Sequence, residues 1–270
     1  MRVHFTLILL CLQFVCTAPG VAEPARPEQR FDQGQPTVLI TGSNRGLGLE
    51  FARKYAELGW NVIATCRRPE AAIALQALAA RFDRVAIETL DVTAGDDVRR
   101  VAHAYADQPI DVLLNNAGIY GDLYKQTLGN FDYEELKRVL DVNTIGSLRM
   151  SEAFLDNVRA GQQKKIVSLG GGMGTPTIGS MFGGHYFMKM SKAAHISAMG
   201  TLQKDLKGTG IIVTMISPGR VDTQMLEDSG YTGKSISAEE SAGLVIEMIA
   251  RLEPGMGGRV ILYNGRTIPW

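Results

Sequence analysis

Apolar, β-branched runs and helical stripes alternate along the chain from residue 37 to the C-terminus. Residues 37–41, Thr-Val-Leu-Ile-Thr, form a short run without polar alternation, the pattern of a strand buried on both faces. Glycines follow, and then Phe51, Tyr55 and Leu58 at helical spacing. The same reading predicts further strands at 61–65, 85–90, 110–114, 165–169, 211–216 and 259–262. It predicts helices at 70–82, 94–106 and 133–158, around Lys192, and at 238–252. Strands alternating with helices imply right-handed crossovers and a parallel sheet covered on both sides. The expected fold class is therefore α/β: one domain with a doubly wound sheet of seven strands, helices on both faces, and a ligand beyond the carboxyl ends of the strands.

The first 36 residues break this pattern. Arg2 precedes an apolar run from Phe5 to Val15, and Thr17-Ala18-Pro19-Gly20-Val21-Ala22 follows, the layout of a secretory signal peptide over residues 1–22. The run is short and interrupted by Gln13, so no stable membrane span is expected in the mature chain. An uncleaved anchor and a misassigned start are the alternatives. A genuine leader implies export, periplasmic or secreted; without it the chain is expected in the cytoplasm. Residues 23–36, rich in Pro, Gln and charge, read as a disordered linker, and residues 37–270 as the folded domain. Cys11 and Cys16 fall within the leader, so only Cys66 remains and no internal disulfide is expected.

Composition adds exclusions. The chain of 270 residues is 45% hydrophobic and 21% charged, with formal net charge zero. That is ordinary globular material, with no electrostatic footprint for nucleic acid and no polybasic patch for a membrane surface. No metal site is expected.

The first candidate chemistry is the turn Gly42-Ser43-Asn44-Arg45-Gly46-Leu47-Gly48, between the first strand and the first helix. Glycines at this spacing let the backbone approach a pyrophosphate, and a helix start supplies unpaired N–H groups and a positive dipole end. In that position the turn points to a Rossmann-type dinucleotide site. A carboxylate at the end of the second strand would hold the ribose 2′-hydroxyl of NAD(H). Here the strand ends Thr65-Cys66-Arg67-Arg68. Arg67, with Arg45, could instead clamp a 2′-phosphate, which favours NADP(H) over NAD(H).

Leu90-Asp91-Val92-Thr93 follows the third strand, Asn115-Asn116-Ala117-Gly118 the fourth, and Ser217-Pro218-Gly219-Arg220-Val221-Asp222-Thr223 the sixth. With the glycine turn, these motifs make the chain resemble the short-chain dehydrogenase/reductase family, single-domain type, from Thr37 to the C-terminus. The ending Gly258-Arg259-Val260-Ile261-Leu262-Tyr263-Asn264-Gly265, closing on Ile268-Pro269-Trp270, is similar to the C-factor-like carbonyl-reductase branch. The resemblance implies that Asp91 and Val92 contact adenine and that residues from Asn115 through Ala117 to Gly118 line the adenosine ribose. It places Pro218, Gly219, Val221 and Thr223 at the nicotinamide and makes residues 224–237 a flap over the substrate.

The resemblance also implies hydride transfer to or from a carbonyl or alcohol carbon, with a Tyr–Lys pair, a Ser and an Asn as the catalytic set. Asn143 and Lys192 match the Asn and the Lys. Met188 stands in the Tyr position and Gly171 in the Ser position, so proton transfer and carbonyl polarisation have lost their side chains. Ser168 and Thr175 would each need a shifted register to replace that Ser. Tyr186 and His185 are candidate substitutes for the acid. Two residues along a helix is about 200°, however, which turns Tyr186 away from the face of Met188. Such a loss costs about 10²- to 10⁴-fold in rate.

The function expected is thus that of an NADP(H)-binding oxidoreductase with impaired or altered catalysis on a small carbonyl or alcohol. A catalytically inactive nucleotide sensor or exported signalling protein on the same fold is the alternative. The loop at 119–130 offers no feature that names a substrate. The family resemblance implies a homodimer or homotetramer formed through the helices bearing Asn143 and Lys192.

Overall fold

The computed structural model describes residue 31 and residues 34–269. The leader, most of the linker and Trp270 lie outside the described residues. The strands are β1 (Thr37–Thr41), β2 (Asn61–Cys66), β3 (Val85–Thr89), β4 (Val112–Asn115), β5 (Lys165–Leu169), β6 (Ile212–Ser217), β7 (Val260–Leu262) and β8 (Thr267–Ile268). They form one sheet in the order β3-β2-β1-β4-β5-β6-β7-β8. All pairings are parallel except β7 with β8. The expected count of seven is corrected to eight. The short chain end Thr267–Ile268 turns back and pairs antiparallel with β7, and two residues carry no periodicity from which a strand can be read.

The helices are α1 (Gly46–Glu57), α2 (Ile73–Arg81), α3 (Gly95–Ala104), α4 (Tyr133–Leu140), α5 (Gly146–Ala153), α6 (Leu155–Ala160), α7 (Pro176–Gly179), α8 (Tyr186–Asp205), α9 (Gln224–Asp228) and α10 (Ala238–Ala250). Side chains alternate across the pleat, so each inner strand feeds two cores. Val38 and Ile40 pack with Phe51, Leu75, Val245 and Ile249 of α1, α2 and α10 on one face. Leu39, Leu113 and Ile166 pack with Val98, Met150, Ile196 and Met199 of α3, α5 and α8 on the other. Phe31 also joins this second layer, stacking on Tyr105 with ring centroids 6.1 Å apart. Among the described residues no helix is long and apolar enough to cross a membrane.

The helix expected over 133–158 is not continuous. A single π turn, Asp141–Ile145, separates α4 from α5, and Phe154 breaks α5 from α6. π turns inside helices recur at functional sites. This one carries Asn143, whose side chain is bonded to two other segments of the chain (Ile119 and Ser191). The strand order reverses between β1 and β4, which opens a crevice at their carboxyl ends.

Candidate functional site

The turn from β1 to α1 is closed as only glycine permits. A Cβ on Gly48 would stand 2.1 Å from the Gly42 carbonyl oxygen. Asn116 braces the turn, its amide donating to Thr41 O at 2.8 Å and Gly42 O at 3.1 Å. Thr41 Oγ1 in turn accepts from the N–H groups of Asn116 and Ala117 at 3.0 and 2.9 Å. Ser43 is buried, and its hydroxyl donates to Ile40 O at 2.9 Å, so its side chain holds the turn. Asn44 and Arg45 are exposed, and Arg45 caps α1 without a side-chain bond. The first-turn N–H groups of a helix have no partner within the helix, so this end is left to receive an anion. Arg67 and Arg68, immediately beyond β2, are exposed as well. Leu47 packs against the α1-side core.

The flanking motifs divide into struts and rim. Asp91 Oδ1 accepts from the backbone and hydroxyl of Thr93 at 2.9 and 2.7 Å, fixing the turn after β3. Val92 is buried in the α3-side core. Asn115 is buried, and its amide donates to Ser151 Oγ at 3.2 Å and to Ser147 O at 3.4 Å. At the other side of the crevice, Pro218 O accepts from Ser241 Oγ at 2.8 Å. Gly219 takes φ +88° beneath the Tyr263 ring. Val221 is buried and forms an isolated bridge with Ile236. Thr223 Cγ2 lies 3.4 Å from the place a Gly46 Cβ would occupy, so the base of the flap segment touches the glycine turn. Within that segment, residues 224–228 form α9.

Lys192, on α8, is 7% exposed, with Nζ donating to Leu169 O at the carboxyl end of β5 at 3.1 Å. Burial pushes its ammonium down to about 8. Asn143 is fully buried. Its amide donates to Ile119 O at 2.9 Å and Ser191 Oγ at 3.0 Å, and its oxygen accepts from Ile119 N at 2.8 Å. The Asn143 side chain is therefore spent on joining the loop after β4 to α8.

Met188 is 6% exposed, with Sδ 3.7 Å from Asn143 Nδ2. It shares one face of α8 with Ser191 and Lys192, the spacing that helical geometry requires. Tyr186 is exposed and lies edge-on against Phe131 at 4.9 Å. Ser168 is buried beside Asn115, and Thr175 caps α7 while donating to Gly172 O at 2.8 Å.

Gly171 departs most from the sequence reading. Its φ is +110°, and a Cβ there would stand 2.8 Å from Val260 Cγ1, 3.5 Å from Val260 Cγ2 and 3.7 Å from Met215 Cε. The backbone of this turn presents position 171 to the β6–β7 core. A side chain added there meets Val260, whatever its chemistry.

The loop at 119–130 holds residues that pattern reasoning passed over. Gln126 is fully buried; its amide donates to Tyr120 O and its oxygen accepts from Met188 N, both at 3.1 Å. It thus satisfies a first-turn N–H of α8 that the cap residue leaves open, because His185 makes no side-chain cap bond. Tyr120 is 6% exposed, and its hydroxyl lies 2.8 Å from His185 Nδ1. His185 occupies the left-handed region at φ 56°, ψ 35°, a conformation that costs a non-glycine residue about 1–2 kcal/mol. The one available signal was a tyrosine placed two residues after the Asn-Asn-Ala-Gly motif.

A sequence model of the family described as short chain dehydrogenase matches residues 36–232. C-signal of Myxococcus xanthus is 33% identical over 162 residues, covering 60% of this chain and 93% of that protein. 1-Hydroxy-2-glutathionyl-2-methyl-3-butene dehydrogenase of Rhodococcus sp. (strain AD45) is 28% identical over 237 residues, covering 87% and 99%. Among solved structures, NADPH-bound carbonyl reductase from chicken fatty liver superposes with a TM-score of 0.80 at 26% identity, covering 87% of this chain and 99% of that one.

Proposed function

Because the chain belongs to the short-chain dehydrogenase family, we propose that it binds NADP(H) in the crevice between β1 and β4 and is a weak reductase of small carbonyl compounds. The observation that carries the binding is the glycine turn, closed to any Cβ at Gly48 and set against an uncapped 12-residue helix. The residues present fit the cofactor. The backbone of Gly42, Asn44, Gly46 and Leu47 would take the pyrophosphate, and Arg45 and Arg67 the 2′-phosphate. Asp91 and the stretch from Ala117 to Gly118 would border the adenosine, and Lys192 the nicotinamide ribose. Pro218, Val221 and Thr223 would border the carboxamide. When bound, the reduced nicotinamide supplies a hydride to a carbonyl carbon. Lys192 would bring a cation to this centre, but Met188 offers neither a proton nor a hydrogen-bond donor to complete the transfer. The NADPH bound to the structurally similar carbonyl reductase from chicken fatty liver supports this choice of cofactor.

The purified chain is expected to enhance NADPH fluorescence on titration and to oxidise NADPH slowly with simple aldehydes. Absence of any calorimetric or fluorescence signal at millimolar NADPH would sink the reading. A second reading, a nucleotide-sensing or exported signalling protein that does not turn over, draws on the likeness to C-signal. It predicts NADPH binding with no turnover at all. The exposed apolar residues Ile145 and Leu148 on and beside α5 and Met190 on α8 support self-association through these helices. Light scattering is expected to give a dimer or tetramer; a monomer at micromolar concentration would refute this.

A further inference from the structure

The Tyr120 hydroxyl has His185 Nδ1 at 2.8 Å and Met173 Sδ at 4.0 Å as its neighbours. Three contacts tie Tyr120 and its loop to the defective centre. Ile119, the residue before it, is held at both backbone polar groups by Asn143, whose amide also lies 3.7 Å from Met188 Sδ. Gln126 links the Tyr120 carbonyl to the Met188 N–H. Met173 belongs to the turn that follows Gly171. The phenol itself touches His185, the N-cap of α8, and Met173, so it lies against the two segments that carry the missing acid and the missing polarising group.

His185 is the second observation. It holds a left-handed backbone directly after Gly183 and Gly184 and makes no cap bond to α8. Its ring meets Tyr120 and Phe182 edge-on, at centroid distances of 5.7 and 5.5 Å. Backbone strain of this kind persists where surrounding contacts over-determine it, and it concentrates at active sites.

We propose that Tyr120 is the catalytic proton donor of this chain and that His185 reprotonates it. The proposal rests on the reading that NADP(H) binds and supplies the hydride. As the carbonyl carbon gains the hydride, the π pair moves onto the oxygen, which takes the Tyr120 proton as the O–H bond breaks. The phenolate oxygen then takes the Nδ1 proton of His185 while Nε2 takes one from solvent, so the ring changes tautomer and stays neutral. Proton exchange of the ring with solvent restores the Nδ1–H tautomer before the next turnover. The balance is one carbonyl, one hydride and one solvent proton to one alcohol. Burial supports these states. It pushes the Tyr120 phenol up to about 12, keeping it protonated. Burial, then the charge of Lys189, holds His185 below the ordinary histidine value. Lys189 lies on the same cluster, with Nζ 4.3 Å from the Phe182 ring centroid.

The test compares wild type, Tyr120→Phe, His185→Asn, Met188→Tyr and the double variant Met188→Tyr/Tyr120→Phe, with NADPH and either an aromatic aldehyde or a quinone. Tyr120→Phe is expected to lower kcat by about 10²-fold or more, with KM and NADPH affinity unchanged. In the Met188→Tyr background the same change is expected to have no effect, because the new phenol takes over. In the apoprotein, Tyr120→Phe is expected to move the His185 Nδ1 NMR resonance. His185→Asn is expected to lose turnover without loss of melting temperature, since Asn tolerates the left-handed region. Undiminished kcat in Tyr120→Phe, or an unmoved Nδ1 resonance, overturns the proposal. So does an equal loss in the Met188→Tyr background, or a wild type that binds NADPH and reduces neither probe. Failure of the wild type to bind NADPH overturns the underlying reading instead.

Discussion

Met188→Tyr is expected to raise NADPH-dependent reduction of simple aldehydes by about 10²-fold, the lower end of what a positioned general acid contributes, because the proposed donor Tyr120 already supplies part of that contribution. The position is prepared for it. Residue 188 lies on the same face of α8 as Lys192, one helical turn away, and Asn143 already holds the loop opposite. The buried ammonium of Lys192 would favour the phenolate electrostatically and so bring a phenol at 188 closer to a useful acidity. The bulkier ring has to be accommodated where the thioether now sits, an overpacking cost of about 1–3 kcal/mol. Adding Gly171→Ser, which the sequence suggests as the natural companion, is expected to add no activity and to lower stability. The serine would sit at φ +110° with its Cβ against Val260, and such backbone strain costs about 1–3 kcal/mol. Steady-state kinetics and thermal melts of the single and double variants check both halves. A folded, NADPH-binding Met188→Tyr no faster than wild type would show that the missing phenol is not what limits this site.

Lys192→Met is expected to stabilise the apoprotein near neutral pH while weakening NADPH binding. The ammonium is buried with a single carbonyl, Leu169 O, as its hydrogen-bond partner among the described residues, and the glycine at 170 leaves it room: a Cβ there would stand 2.8 Å from Nζ. Burial lowers its pKa from 10.5 to about 8. The folded state therefore holds this proton less tightly than the unfolded state does. Below about pH 8 both states are protonated and the full penalty applies, on the order of 3 kcal/mol. Between about pH 8 and the unfolded value of 10.5 the unfolded chain binds more protons, so this residue's contribution makes stability rise with pH. Methionine removes the charge and keeps a long apolar side chain. Its melting temperature at pH 7 is expected to rise by roughly 2–4 °C per kcal/mol recovered, and the alkaline gain is expected to vanish. Equal or lower stability of the variant at pH 7, together with no such contribution in the wild type above pH 8, would contradict this account. A charge that destabilises the empty protein is understandable as one reserved for an anionic or hydroxylated ligand.

The layers of the fold were legible because hydrophobic periodicity is local. The runs at 37–41 and 165–169 predict strands with the bounds that β1 and β5 have. Both are short segments centred on Val, Leu and Ile and buried along their whole length, as interior parallel strands with both faces covered are. The helix read over 133–158 failed at 141–145, because the π turn is stabilised by what Asn143 reaches, namely Ile119 and Ser191, and those bonds span 24 and 48 residues of sequence. β8 was missed for a related reason. Its two residues become a strand only through the β7 edge they meet.

By itself, the sequence determined the doubly wound order of elements, the family, and the identity of the side chains at positions 171, 188 and 192. These follow from local spacing and side-chain chemistry, which do not depend on how distant segments meet. Only the tertiary structure decided where Gly171 points, that the Asn143 side chain is consumed as a strut, and that Tyr120 stands against His185. Each of these depends on a backbone dihedral or on a contact across 24 to 65 residues. Such contacts are set by packing and hydrogen-bond satisfaction in the folded chain, and no pattern along the sequence encodes them singly.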